Sequence, residues 1–459
     1  MSSLQRSIHP PKGSPARTGR FALPAWVWML ILFGVLIVIQ GALRKWVLPG
    51  LATPLYVAKD VALLATLGLL AEQGALRLTA PLRRTFLPIL WGGFAWVVAL
   101  QAFNLNVPSV AVGILGIRSY LLYSTLLIIL PLALERVQRP KRVLLFVSLG
   151  LVVPVLVLGM YQYTQPVGSW INQYVADEAQ AVGVLSHPRI TGTFSYIGGM
   201  GAFLTFSVFL GLGMFFAGVR YQDRFYQVLG GGVLGLALIV APMSGSRSVA
   251  LGPLVPLPLT LYVLLRRRRG LAVGASLFLL VIAGAYMVTG EGWVAQGWEG
   301  IEHRMETASD QDTRVQSMLL DPIRKVTVGG VVGYGAGTTH QAAGALSSEG
   351  RVQIEGVGYE GELGRVLIEL GIFGALLFLA LKAWLAWIGW QTLRRSSTAW
   401  TTALSVMAFS KLFLNLGVGM IVFNHISGAL YWICAGCAVW VWSRQEIQRH
   451  TPSPSTGRA

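Results

Sequence analysis

Apolar runs of about twenty residues recur along the whole 459-residue chain, and this recurrence limits the possible folds more than any other feature. A helix needs about 20 residues to cross the hydrocarbon core, where its backbone polar groups must be satisfied internally. The runs fall at 25–43, 53–71, 86–103, 111–134, 143–162, 196–217, 228–243, 249–265, 271–288, 363–390, 400–422 and 429–442. They predict an all-α polytopic membrane protein with about twelve transmembrane helices. Charged residues make up only 12% of the chain, against about 25% in ordinary soluble domains. That leaves too little polar surface for a water-soluble enzyme, and it also excludes a disordered or fibrous chain.

The net charge is +17, from 36 Lys and Arg against 19 Asp and Glu. In a soluble protein this excess would point to nucleic acid; between membrane spans it is explained by the positive-inside rule and anionic lipid headgroups. Alternate connections carry Arg83 and Arg84, then Arg139, Lys141 and Arg142, then Arg220 and Arg224, then Arg266 to Arg269, then Arg394 and Arg395. Both tails share that bias, so the expected topology is N-in and C-in. The chain divides into an inner tail (1–24), nine spans (25–288), a large outer loop (289–362), three further spans (363–442) and a second inner tail (443–459). Within the loop, Trp293, Trp298, Ile301 and Met305 have the spacing of a helix lying on the membrane surface. Cys434 and Cys437 lie three apart inside an apolar run, where helix packing accounts for them.

Several polar motifs stand at outer ends of spans. Ser244-Gly245-Ser246-Arg247-Ser248 precedes a helix whose free amides and positive dipole end suit phosphate; the alternative is a tight turn with a snorkelling arginine. His187 to Phe194 places Arg189, Thr191 and Thr193 ahead of another helix, where a threonine would also serve as an N-cap. Gly329 to Gly337 lacks the Lys-Ser/Thr ending of a phosphate loop, so its glycines are expected to let backbone pack closely. Asp310-Gln311-Asp312 has the D-x-D form of a metal-binding pair, a pattern that an acidic loop produces by chance. Glu369 lies about two turns into a span, with Arg365 four residues earlier as its expected partner. Arg118 and Lys411 lie too deep to snorkel and are functional candidates by default, whereas Lys382 is expected to snorkel at an inner end.

In their order, these segments resemble the bacterial O-antigen ligase and polymerase superfamily. The resembling pieces are Arg189 to Phe194, Ser246-Arg247, Arg314 followed by the Gly333 to Gly337 turn, and Ile368 to Gly374, together spanning roughly residues 185–380. The resemblance implies the GT-C-type architecture of that family, with a large periplasmic loop before a late span. It also implies glycan transfer from an undecaprenyl-pyrophosphate donor to an acceptor hydroxyl at the outer face of the bacterial plasma membrane.

On that resemblance Arg189, Arg247 and Arg314 would bind the pyrophosphate, with Glu360, His340 and Glu369 as the catalytic set. The family's His-Asn pair is missing near Glu360-Gly361, so either Glu360 takes the acceptor proton, or His340 reaches in from the loop to do so, or this branch differs in mechanism. Arginines can supply the positive charge, so neither a metal nor a cofactor is required. The expected partners are the lipid-linked oligosaccharide, an acceptor glycan, membrane lipid and other polysaccharide-assembly proteins, and nucleic acid is not among them. A polysaccharide polymerase is favoured over a ligase acting on lipid A core. The rival from another class is a secondary transporter or lipid-linked-sugar flippase.

Overall fold

A computed structural model describes residues 23–175, 183–265, 293–306, 323–346, 361–417 and 419–450. The described chain is a bundle of helices, eight of them long and apolar enough to cross a membrane, with two shorter apolar ones beside them. In order these are α1 (Ala25–Val47), α2 (Ala52–Glu72), α3 (Leu87–Ala102), α4 (Val110–Leu134), α5 (Pro140–Tyr163), α6 (Ile197–Tyr221), α7 (Arg224–Ser244) and α8 (Arg247–Val263). They are followed by α9 (Trp293–Glu306), α10 (Glu362–Arg395), α11 (Ala399–Gly417) and α12 (His425–His450). Eleven of the twelve expected runs coincide with these helices; the run 271–288 lies outside the described residues. A two-residue antiparallel ladder joins Gly183–Val184 to His187–Pro188.

The bundle has a clear centre. The apolar stretches of α6 and α12 are 89% buried, whereas those of α1, α2 and α5 are 33% buried and present their other faces outward. α6 runs along both α7 and α11. A side-chain carbon at Gly211 of α6 would stand 2.6 Å from the Leu234 backbone nitrogen of α7, so only a glycine admits this approach. Close contact between small residues is how apolar helices gain packing where the hydrophobic effect no longer separates them from lipid.

Two helices contain wide π turns at the places that matter below. Leu43–Val47 ends α1 and carries Arg44 and Lys45. Arg118–Leu122 interrupts α4 and carries Arg118. Such turns shift the register of the side chains and are frequent at functional sites.

α10 departs from the expected straight span over 363–390. Gly371 has φ +66° and ψ −170° inside the helix. Glu362 and Lys382 are twenty residues apart and would be about 30 Å apart along a straight helix, yet their side chains form an ion pair at 3.2 Å. The arm 362–370 therefore folds back along the arm that follows Gly371. A β-carbon at Gly371 would collide with the Val331 carbonyl, so both the backbone conformation and the packing demand glycine. The break frees helical carbonyls, and the glycine-rich loop satisfies them: Tyr334 N donates to Ile368 O at 2.7 Å and Gly335 N to Glu369 O at 2.9 Å. Lys382 does not snorkel, as its depth in the sequence suggested, because Glu362 comes back to meet it.

α9 forms where the aromatic spacing predicts a helix. Ile301 is buried, and Gly297 abuts the Pro242–Met243 backbone, so one face packs on the last turn of α7 while Trp298 stays exposed.

Candidate functional site

The turn before α6 is built from buried amides and a lysine. The Gln162 side chain, wholly buried on α5, accepts from Thr191 N at 3.1 Å and Gly192 N at 2.7 Å, and donates to Ile171 O. Lys45 donates to Thr191 Oγ1 at 3.0 Å and Gly192 O at 2.8 Å. Thr193 donates to Val38 O at 2.6 Å. Neither threonine caps α6; the N-cap position is Tyr196, whose side chain caps nothing. The two threonines instead fasten the turn to α1 and α5.

That fastening sets Arg189 against the turn that precedes α8. Arg189 Nε donates to Ser244 O at 3.1 Å. Gly245, at φ +59°, leaves the room: a β-carbon there would stand 3.3 Å from Arg189 Cγ. The two loops picked out in the sequence are thus neighbours.

Together they form one wall of a cavity of about 300 Å³. Arg189, Ser246, Ser248, Asn424 and Lys411 line it. Lys411 is 3% exposed and makes no hydrogen bond or ion pair among the described residues. Burying an ammonium group without a counter-charge costs several kcal/mol. Arg247, half-buried at the start of α8, does not line the cavity; the serines on either side of it do. Arg314, Glu360 and the pair Asp310 and Asp312 lie outside the described residues.

A second cavity, of about 400 Å³, shares Tyr196, Gly198, Met420 and Asn424 with the first. Its charged and imidazole lining comprises Arg44, Lys59, Arg365, His340 and His425, with no carboxylate among the described lining residues. Three cations surround the Tyr56 ring: Lys59 at 4.4 Å, Arg118 at 4.9 Å and Arg44 at 5.2 Å from its centroid. Lys59, 1% exposed, donates to Tyr56 O at 2.7 Å, and Arg44 donates to Ser195 Oγ at 3.0 Å. Neither forms an ion pair among the described residues.

The two imidazoles stack at 5.6 Å between centroids. Ala342 N–H donates to His340 Nδ1 at 3.0 Å, so the neutral ring carries its proton on Nε2. Arg118 Nη1 lies 3.3 Å from His425 Nε2, so that ring carries its proton on Nδ1. Both rings are thereby set as hydrogen-bond donors. His340 lines the larger cavity, with its Nδ1 engaged by the Ala342 amide.

The carboxylates nearby are spent on the frame. Glu369, with no exposure, accepts from Tyr120 Oη at 2.9 Å, Gly337 N at 2.9 Å, Thr339 N at 2.8 Å and Thr339 Oγ1 at 2.6 Å. It lines neither cavity. Its expected link to Arg365 runs through Thr339, which accepts from Arg365 at Oγ1 (3.1 Å) and at its carbonyl (2.7 Å). Glu362 accepts from Ile421 N and from Val422 N (2.8 Å) as well as pairing with Lys382. Asp60 binds Arg118 at 2.7 Å and accepts from Tyr123 at 2.7 Å. Arg118 is therefore paired within the protein, whereas Lys411 forms no hydrogen bond or ion pair among the described residues.

The sequence pattern did not single out Arg44, Lys59 or His425 as site residues. Arg44 looks like an ordinary interfacial cation, and Lys59 stands next to an aspartate that turns out to belong to Arg118. No family model, curated protein or solved structure matches the chain.

Proposed function

We propose that the protein is a membrane glycosyltransferase of the polysaccharide-polymerase kind, acting on a glycan carried by a lipid diphosphate such as undecaprenyl pyrophosphate. The observation that carries this reading is Lys411, which is buried, lines the smaller cavity together with Arg189 and forms no ion pair among the described residues. A diphosphate supplies the missing negative charge. The serines of the preceding turn offer hydroxyl donors, and Arg189 offers a planar fork that remains charged. The resemblance to the ligase and polymerase superfamily, and the positive-inside pattern that puts these loops outside the plasma membrane, support the same reading.

In the proposed reaction the acceptor hydroxyl oxygen attacks the anomeric carbon, and the bond from that carbon to the diphosphate oxygen breaks. The diphosphate leaves with the electron pair, so Arg189 and Lys411 act by stabilising charge as it develops. The acceptor proton passes to Glu360, two residues before the re-entrant arm in the sequence. His340 Nε2–H serves as a donor to a substrate oxygen.

The test is chain elongation by purified protein on lipid-diphosphate oligosaccharide. Charge-assisted hydrogen bonds contribute about 1.5–3 kcal/mol each, so Lys411→Met lowers turnover at least about tenfold. Arg189→Lys recovers only part of what Arg189→Ala loses, because the charge remains and the fork does not. Movement of unchanged lipid-linked glycan across vesicles, with no longer product, would replace this reading with a flippase. Transfer to lipid A core would make it a ligase.

A further inference from the structure

The larger cavity raises a question that the donor diphosphate does not answer. If the diphosphate sits with Arg189 and Lys411, a second set of cations remains a few residues away, behind the shared wall of Tyr196, Gly198, Met420 and Asn424. A site for a neutral sugar is ordinarily lined by aromatic faces and mixed donors and acceptors. This one brings Arg44, Lys59 and Arg365 together with two imidazoles, and with no carboxylate among its described lining residues. Lys59 is nearly inaccessible and forms no ion pair among the described residues, and the Nε of Arg44 is buried without a hydrogen-bond partner. Among the described residues the buried acids are engaged elsewhere: Asp60 with Arg118 and Tyr123, Glu369 with the glycine-rich loop, Glu362 with Lys382. Buried cations held apart from available carboxylates are arranged for a negative charge from outside the protein.

We infer that the larger cavity binds the acceptor and that the acceptor carries an anionic group there, a carboxylate or a phosphate. This rests on the transfer reaction proposed above and adds the charge of its second substrate. Two sources supply that chemistry: an acidic sugar within the acceptor glycan, or the diphosphate of a second lipid-linked chain.

Binding to the full-length protein in detergent separates them. The probes are a hexuronic acid trisaccharide, a neutral trisaccharide of the same size and inorganic pyrophosphate. The proteins are the parent, Lys59→Met and Lys411→Met. The hexuronate is expected to bind with an affinity that falls at least about tenfold in Lys59→Met and holds in Lys411→Met, which identifies an acidic sugar. Two pyrophosphate sites, one sensitive to each substitution, with no hexuronate binding, identify a second diphosphate. Equal binding of neutral and acidic trisaccharides, both indifferent to Lys59→Met, overturns the inference. Pyrophosphate binding indifferent to Lys411→Met overturns the donor assignment instead, so the two failures are distinct. Methionine keeps the bulk of Lys59 while removing a buried charge, so the melting temperature is expected to hold or rise. If Lys59→Met does not fold, Arg44→Gln gives the same readout on the same probes.

Discussion

The acids and the bases of this bundle are treated in opposite ways. Asp60, Glu362 and Glu369 are buried and saturated, each holding backbone amides, hydroxyls or a cation from another part of the chain. Lys59 and Lys411 are buried as deeply, yet no carboxylate meets either among the described residues. Both kinds cost desolvation, but among the described residues only the acids are met by opposite charge or by several donors. The difference separates a frame from a site. The carboxylates on the re-entrant arm pin the loop 419–424 on one side and the loop 333–340 on the other, and the cations face the space between.

The sharpest way to break that comparison is to remove a frame acid. Glu369→Ala strands four buried donors, each worth about 1–3 kcal/mol when left unsatisfied, so a loss of at least about 3 kcal/mol is expected. It would be read as a large fall in melting temperature or in folded yield. A stable Glu369→Ala protein that lacks only activity would put Glu369 back in the catalytic set.

A smaller effect tests the hairpin. Glu362→Gln leaves Lys382 charged and alone, at a cost of about 3 kcal/mol. Adding Lys382→Met removes the stranded charge and should restore more than about 1 kcal/mol of that loss. Additive losses in the double variant would mean that the pair is not coupled.

Lys411→Met should have the opposite sign. Removing a buried charge that has no partner holds or raises the melting temperature while elongation falls. A clear drop in stability would move Lys411 into the frame and erase the distinction.

The smallest expected effect is at Arg247, which lines neither cavity. Surface substitutions away from special features stay within about 0.5 kcal/mol. Arg247→Ala should therefore leave stability nearly unchanged and turnover within about twofold. A tenfold loss of turnover would restore the two-arginine clamp that the sequence suggested.

What could be read in advance follows the range of the interactions. Apolar runs are local, so helix positions were legible at every described span. The packing role of Gly329 to Gly337 was also legible, because closely spaced glycines leave few alternatives. The fold-back at Gly371 was not. One glycine in an apolar run looks like any tolerated helix glycine, and the pairing of Glu362 with Lys382 became visible only in three dimensions. Glu369 shows the same limit: in sequence, a carboxylate serving four donors cannot be told from one awaiting a substrate. The histidine tautomers depend on a backbone amide two residues away and on an arginine some three hundred residues away, and neither leaves a signature in residue type.

The fold-back also bears on the order in which the chain is made. Glu362 and Lys382 lie twenty residues apart, so their charges can cancel within one hairpin as soon as both arms have been made. The other oxygen of Glu362 must wait for the amides of Ile421 and Val422, 59 and 60 residues later, which arrive only after α11 has been threaded. The last third of the molecule is thus completed late and together. Until Ile421 and Val422 have been made, the wall shared by the two cavities lacks the half that Met420 and Asn424 supply.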